Sequence, residues 1–278
     1  MTVKIQQTPD PASFARMNTA EVRAAFLLEE LFVPGKIEFF CSHIDRAVIG
    51  AAVPVGETLG LQSCKELAAD YFTQRRELGV INIGSPGAIR VDGQEFGLAR
   101  KEALYIGRGK REIRFCSADP ASPALFYFVS YPAHAVYPCV KIGRAQAEAT
   151  ELGSSNEANR RTIHKLIHPA GVKSCQLMMG CTELAEGSVW NTMPAHTHAR
   201  RSEIYLYFDL PENAVVVHCM GEPWETRHLI VRNRQAVMSP NWSVHFGAGT
   251  TNYSFIWTMG GENQEFSDMD VVPMHALV

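Results

Sequence analysis

The feature that most limits how this chain can fold is its punctuation. From about residue 36 onward it is written in short alternating or β-branched runs separated by Gly, Pro and Asp. Up to residue 140 these runs are KIEFFCSHI, AVIGAAVPV, LGVINIG, AIRVDGQEF, EALYIG, EIRFCS and ALFYFVSYP. Later come CQLMMGCTELA, IYLYFDL, AVVVHCM, ETRHLIVRN, QAVMSP, SVHFGAG and YSFIWTMG. Runs of this length, with period two and turn residues between them, predict strands joined by tight connections. Inside IRVDGQEF, the Asp92-Gly93 pair predicts a two-residue hairpin. One early stretch, TAEVRAAFLLEELF, has helical period instead, with Thr19 as N-cap and Val22, Phe26 and Leu27 on one side. The expected fold class is therefore all-β with a few short helices.

The strand rhythm occurs twice, around a polar, small-residue connector at residues 141–160. At 278 residues the chain has room for two domains, and the expected division is 1–150 and 151–278. An internal repeat supports two copies of one barrel-like unit. QRRELGVINIG at 74–84 echoes ARRSEIYLYF at 199–208, and GRGKRE at 107–112 echoes PNWSVH at 240–245. The first copy carries Tyr71 and Phe72 ahead of its Arg-Arg-Glu, and this matching sets Glu112 against His245. The C-terminal copy alone is then equipped for a metal, and the N-terminal half is expected to be structural.

Several partner classes drop out at this stage. Net charge is −3 with scattered basic residues, so no electrostatic footprint for nucleic acid exists. No apolar run reaches the roughly 18 residues needed to cross a bilayer, and MTVKIQQTPDPASF lacks the apolar core of a signal peptide, so a cytoplasmic protein with no membrane partner is expected. Seven cysteines without a CxxC pair suit reduced, packed thiols.

Chemistry concentrates in NTMPAHTHARRSEIYLYF, residues 191–208. On a strand His196 and His198 point the same way. Glu203 lies an odd number of residues from His198, so a turn within ARRS must intervene for the carboxylate to rejoin the histidine side, sharing it with Tyr205 and Tyr207. SPNWSVHFGAGT brackets a short strand carrying His245, the best candidate for a fourth ligand. Imidazoles with one carboxylate suit Zn²⁺, Fe²⁺ or Mn²⁺. His218 and His228 also lie in strand-like runs, without a partner at ligand spacing.

This pattern resembles the cupin metal motif. Over nearly the whole chain, RRELGVINIG, VDGQ, NRRTI, NTMPAHTHARRSEIYLYF, ETRH and GENQEFSDMD resemble the 5-dehydro-4-deoxy-D-glucuronate isomerase family, also called 4-deoxy-L-threo-5-hexosulose-uronate ketol-isomerase, of bacterial pectin and uronate breakdown. The resemblance implies two tandem cupin barrels and one zinc ion held by His196, His198, Glu203 and His245. It also implies a homohexamer and an aldose–ketose isomerisation that yields 3-deoxy-D-glycero-2,5-hexodiulosonate.

That reaction moves a proton from C2 to C1 through a cis-enediolate, which a divalent cation could stabilise as a Lewis acid. It also needs a base. The sequence offers Glu225, His228, Tyr205 and Tyr253, with ETRH favoured because it joins an acid, a cation and an imidazole; a metal-bound hydroxide is a further option. The substrate carboxylate needs a cation, and Arg160, Arg161, Lys165, Arg200 and Arg201 are the available positions. Arg161, Lys165 and Arg200 are taken as the substrate contacts, with at most one of Arg200 and Arg201 facing inward. Two other readings remain open: a non-catalytic cupin that binds a sugar acid, and an iron-dependent cupin dioxygenase.

Overall fold

The computed structural model describes residues 4–278. Among these residues the architecture is β, with two short α-helices, Pro11–Phe14 and Thr19–Phe26. The chain forms two compact units, each a seven-stranded sheet with a four-stranded one. The strand orders are copies of one another. In the first unit the large sheet runs Lys4–Gln6, Ile37–Ser42, Val48–Ala52, Phe126–Pro132, Arg76–Asn82, Ala103–Ile106, Val140–Ile142. In the second it runs Glu148–Leu152, Arg161–Ile167, Met178–Leu184, Ser254–Gly261, Arg201–Phe208, Ala236–Ser239, Leu27–Leu28. The doubled barrel read from the punctuation is therefore present, and Asp92-Gly93 forms its hairpin, with both residues at positive φ between strands that pair Val91 with Gln94.

A single cut near residue 150 does not separate the units. The second unit comprises Gln7–Glu29, Glu148–Lys165 and Gly180–Val278, while Leu166–Met179 belongs to the first. The physical reason lies in two small features. Leu27 and Leu28 leave the helix to pair with Val237 and Ala236, closing one edge of the second unit's sheet. Phe14, Phe26 and Trp242 then pack edge to face, at centroid distances of 5.3 to 6.2 Å. The helix consequently stops at Phe26 instead of running on through LLEELF, and its N-cap is Asn18 rather than Thr19. Asn18 and Glu21 form a reciprocal capping box, with Glu21 N donating to Asn18 and Asn18 N to Glu21. The expected connector at 141–160 also holds a strand, Glu148–Leu152, which pairs with Arg161–Lys165.

In the first unit, Glu77 explains why residues 175–177 stay with it. Its buried carboxylate accepts N–H groups from Cys175, Gln176 and Leu177 at 2.7 to 2.9 Å, and the Tyr105 hydroxyl at 2.8 Å. It is an anchor for a loop, on the opposite face from the barrel interior.

Strand register corrects the repeat alignment. In the second unit Glu203 pairs with Ser239, three positions from the Leu206–Ala236 pair. The matching position in the first unit, three back from the Ile81–Ala103 pair, is Leu78 facing Ile106. Likewise His245 faces Met220, two residues before the hairpin-closing pair Glu222–Glu225; its counterpart, facing Ile89 two residues before the hairpin-closing pair Val91–Gln94, is Phe115. Leu78, Ile113 and Phe115 all belong to an apolar core with Val80, Ile89 and Phe128. Glu112 sits one residue before its strand, exposed, and pairs with Arg114. The inward positions of the first barrel are thus filled with hydrocarbon, and no ligand set exists there among the described residues.

Candidate active site

The second unit places the predicted constellation together. The ligand atoms of His196, His198, Glu203 and His245 all lie within 4.8 Å of one another. His196–Thr197 is a two-residue strand, Ala199 and Arg200 make the turn, and Arg201–Phe208 begins immediately after it. The turn restores parity, so Arg201, Glu203 and Tyr205 share the inner face while Ile204, Leu206 and Phe208 are buried on the other. His245 comes from Val244–Gly249, opposite Met220. Gly261 pairs with Arg201 at a φ of 153°, and a Cβ there would strike the Arg200 carbonyl and the Arg201 backbone, so glycine is what lets the strands approach at this point.

Each imidazole is oriented by a backbone carbonyl. His196 Nδ1 lies 3.0 Å from the Pro194 oxygen, His245 Nδ1 3.1 Å from the Ser243 oxygen, and His198 Nδ1 2.6 Å from the Asp268 oxygen. A carbonyl can only accept, so Nδ1 carries the proton in all three and each Nε2 presents a lone pair. Those of His198 and His245 point at Glu203 Oε2, at 3.3 and 2.8 Å. The Nε2 atoms of His198 and His245 are buried and have no hydrogen-bond donor. Three lone pairs and a carboxylate converging without a donor is a donor set suited to a divalent cation. Burial, reinforced by His245, depresses His196 to about 4, keeping it neutral and able to ligate at physiological pH.

A cavity of about 390 Å³ opens onto this cluster. Its walls carry Arg161, Lys165, Arg201 and Tyr205 beside apolar Phe255, Trp257 and Phe266. A C-terminal segment closes one side: Asp270–Val271 pairs with His196–Thr197, and the Asp268 carbonyl also accepts from Arg201 at 3.0 Å.

The cations differ in what holds them. Arg161 is buried and donates to the carbonyls of Asn159 and Met193, with no ion pair to a carboxylate among the described residues. Lys165 is bound to Glu148 at 2.5 Å and lies over the Phe266 ring. Arg200, expected as a substrate contact, is exposed in the turn and paired with Glu262, outside the cavity lining. Arg201 takes the inward position, because it is an even number of residues from Glu203 on the same strand. Arg160 projects toward Glu151 and also lies outside the lining.

The expected acid–base residues are not brought to the cavity. Glu225 and His228 lie on the edge strand Glu225–Val231, where Glu225 binds Arg227 and His228 is exposed. Tyr253 is buried behind the lining, donating to the Val189 carbonyl and accepting from Asn191. Of the four candidates Tyr205 alone lines the cavity, with its hydroxyl 2.9 Å from Thr192 Oγ1. His218 is buried with Nδ1 2.7 Å from the Tyr207 hydroxyl, and burial followed by His245 depresses it to about 3.

Fold and site together define a double-barrelled cupin with a three-histidine, one-carboxylate group able to hold a metal ion. The profile of the KduI/IolB family matches residues 30–277, and the chain belongs to that family. A 4-deoxy-L-threo-5-hexosulose-uronate ketol-isomerase of Caldicellulosiruptor bescii is 55% identical over 267 residues, 96% of this chain and 97% of that protein. An IolB-like protein of Salmonella typhimurium superposes with a TM-score of 0.72 at 14% identity, covering 89% of this chain and 96% of its own. Bacillus subtilis oxalate decarboxylase, with its Mn(II) centres, does so with a TM-score of 0.55 at 7% identity, covering 81% and 71%. The two solved structures speak to fold alone. The relative at high identity over nearly full length makes this chain an isomerase. Among the described residues no helix is long and apolar enough to cross a membrane.

Proposed function

We propose that this chain is a metal-assisted aldose–ketose isomerase acting on 4-deoxy-L-threo-5-hexosulose uronate and releasing 3-deoxy-D-glycero-2,5-hexodiulosonate. The observation that carries the reading is the convergence of three carbonyl-oriented imidazoles on Glu203, at one end of a cavity that also holds the unpaired Arg161. His196, His198, Glu203 and His245 would hold a zinc ion. A divalent cation bound there draws electron density from a substrate carbonyl oxygen and so acidifies the adjacent C–H bond.

The remaining work falls to the chain. Arg161 receives the substrate carboxylate, since its guanidinium is already fixed by two carbonyls and lacks a countercharge. Phe255, Trp257 and Phe266 exclude water and lower the local dielectric, which strengthens every charge interaction inside. Burial raises the Tyr205 phenol well above its ordinary range, so it stays protonated and serves as a hydrogen-bond donor to a substrate oxygen rather than as a base. The proton leaving C2 must be taken by a group that lines the cavity, which argues against Glu225, His228 and Tyr253 in that role. A hexameric assembly, a cytoplasmic location and a place in pectin breakdown belong to the same reading.

The test is elemental analysis of the purified protein beside an aldose–ketose assay on this substrate, repeated for His196→Ala and His245→Ala. We expect one zinc per chain, with metal and turnover lost together. Undiminished turnover in metal-free protein or in His245→Ala would overturn the proposal.

A further inference from the structure

The inward positions of the first barrel are apolar, yet it shares one buried charge with the second. Arg76 begins its strand as Arg201 begins the matching one: Arg76 pairs with Pro132, and Arg201 with Gly261. Both are buried. Their surroundings differ in charge. Arg201 has the Asp268 carboxylate at 3.7 Å, whereas Arg76 has no carboxylate within ion-pair distance among the described residues. Its Nε donates to Ser130 Oγ at 3.0 Å, and Nη2 donates to the carbonyls of Arg46 and Ser130 at 2.5 and 2.7 Å. These neutral oxygens fix the plane of the guanidinium but leave its charge uncompensated, and Nη1 is left without a partner. A buried charge is costly unless an opposite charge meets it.

A cavity of about 370 Å³ lies against this group. Its walls come from Lys4–Gln6, Ile37–Ser42, Val48–Ala52, Arg76–Asn82 and Phe126–Pro132. These are the counterparts of the five neighbouring strands that line the cavity of the second unit. The two linings share Arg76 and Arg201 as matching residues, while the first-unit counterparts of Glu203 and Trp257, Leu78 and Phe128, belong to its packed core. Arg46 and Arg75 join Arg76 in the lining, against one carboxylate, Glu66. Neither Arg46 nor Arg75 is in an ion pair among the described residues; Arg75 donates to the Ala68 carbonyl. Three guanidiniums facing one acid over an apolar floor reject a cation and attract an anion that can accept forked hydrogen bonds.

We propose that the cavity beside Arg76 in the N-terminal barrel is a binding site for a small oxyanion, a carboxylate or a phosphate. The site has the arginine common to both barrels and, with Leu78 and Phe115 at the positions that match Glu203 and His245, binds without doing chemistry.

Calorimetric titration of the full-length protein with inorganic phosphate, and separately with sodium glucuronate, tests this. Chloride holds ionic strength constant, so that saturable binding is distinguished from screening. Binding of either probe at one site per chain supports the proposal, and which probe binds identifies the source of the oxyanion. The double variant Arg46→Ala/Arg75→Ala removes two exposed side chains and leaves the core intact; it should bind at least about tenfold more weakly. The control His245→Ala disables the other cavity and should retain the binding. Absence of saturable binding by both probes, equal affinity in the double variant, or loss confined to His245→Ala would each overturn the assignment.

Discussion

Replacing Glu77 with Gln tests whether a single carboxylate holds residues 175–177 to the first unit. The wild-type group accepts four hydrogen bonds: Oε1 takes the amides of Gln176 and Leu177, and Oε2 takes the Cys175 amide and the Tyr105 hydroxyl. A glutamine keeps one oxygen, and its NH₂ must face the other pair. If it replaces Oε2, the Tyr105 hydroxyl can rotate and accept, but the Cys175 N–H is left against another donor. One orphaned buried donor costs about 1–3 kcal/mol, and the two bonds that remain lose roughly half their charge-assisted strength. The absence of a buried anion offsets part of this, for a net loss of about 3 kcal/mol. At roughly 2–4 °C per kcal/mol for a unit of this size, the melting transition should fall by about 6–12 °C. Calorimetry supplies the shift, and hydrogen exchange at the amides of residues 175–177 should show protection lost there first. Tyr105→Phe, which removes one donor, should cost only about 1 kcal/mol. A Glu77→Gln protein melting within about 1 °C of wild type, with those amides still protected, would refute the anchor.

Four further outcomes follow from the site. Glu203→Gln keeps volume but removes the one carboxylate of the cluster, and should weaken the proposed zinc binding at least about 100-fold in a chelator competition. Arg161→Met should raise KM for the uronate far more than Arg200→Ala, because Arg200 is exposed and paired with Glu262, so equal effects in steady-state kinetics would contradict the placement of both. Glu225→Gln and His228→Ala should leave turnover within about twofold of wild type in the same assay, since surface changes away from the cavity are nearly neutral. For pH, His218 is held at about 3 when folded but near 6.5 when unfolded, so the unfolded chain binds the extra proton in between. Stability is therefore full above about pH 6.5 and falls with acid by roughly 1.4 kcal/mol per unit from this group, or about 2 kcal/mol by pH 5; His218→Gln should show a correspondingly smaller loss in urea titrations at pH 7 and 5.

The sequence disclosed what depends on local period and on residue type. Alternation and turn residues marked the strands, and the odd spacing between His198 and Glu203 demanded the turn that Ala199 and Arg200 make. The four candidate ligands could be named because histidine and glutamate at such spacing are rarely mere packing. What escaped depended on partners distant in sequence. Leu27 is as good a helix residue as a strand residue, and only Val237 decides between them. Arg200 and Arg201 look alike until the turn fixes which one precedes the inward series. ETRH looked reactive, but its strand lies at the sheet edge, where Arg227 and Glu225 satisfy each other. The repeat was detectable through its arginines, and its match of Arg76 to Arg201 holds, but the match of Glu112 to His245 does not, because equal spacing along the chain hides a difference in loop length that only strand pairing reveals.

The edge strand Leu27–Leu28 also bears on how the protein is made. Its partner, Ala236–Ser239, leaves the ribosome more than two hundred residues later, so the first helices and this strand emerge long before the sheet they complete. Until then their apolar side must be sheltered by chaperones or by transient contacts, and closure of the second barrel waits for almost the whole polypeptide. Neither half of the gene therefore encodes a finished barrel, which makes this arrangement resistant to being cut, shuffled or transplanted as separate modules.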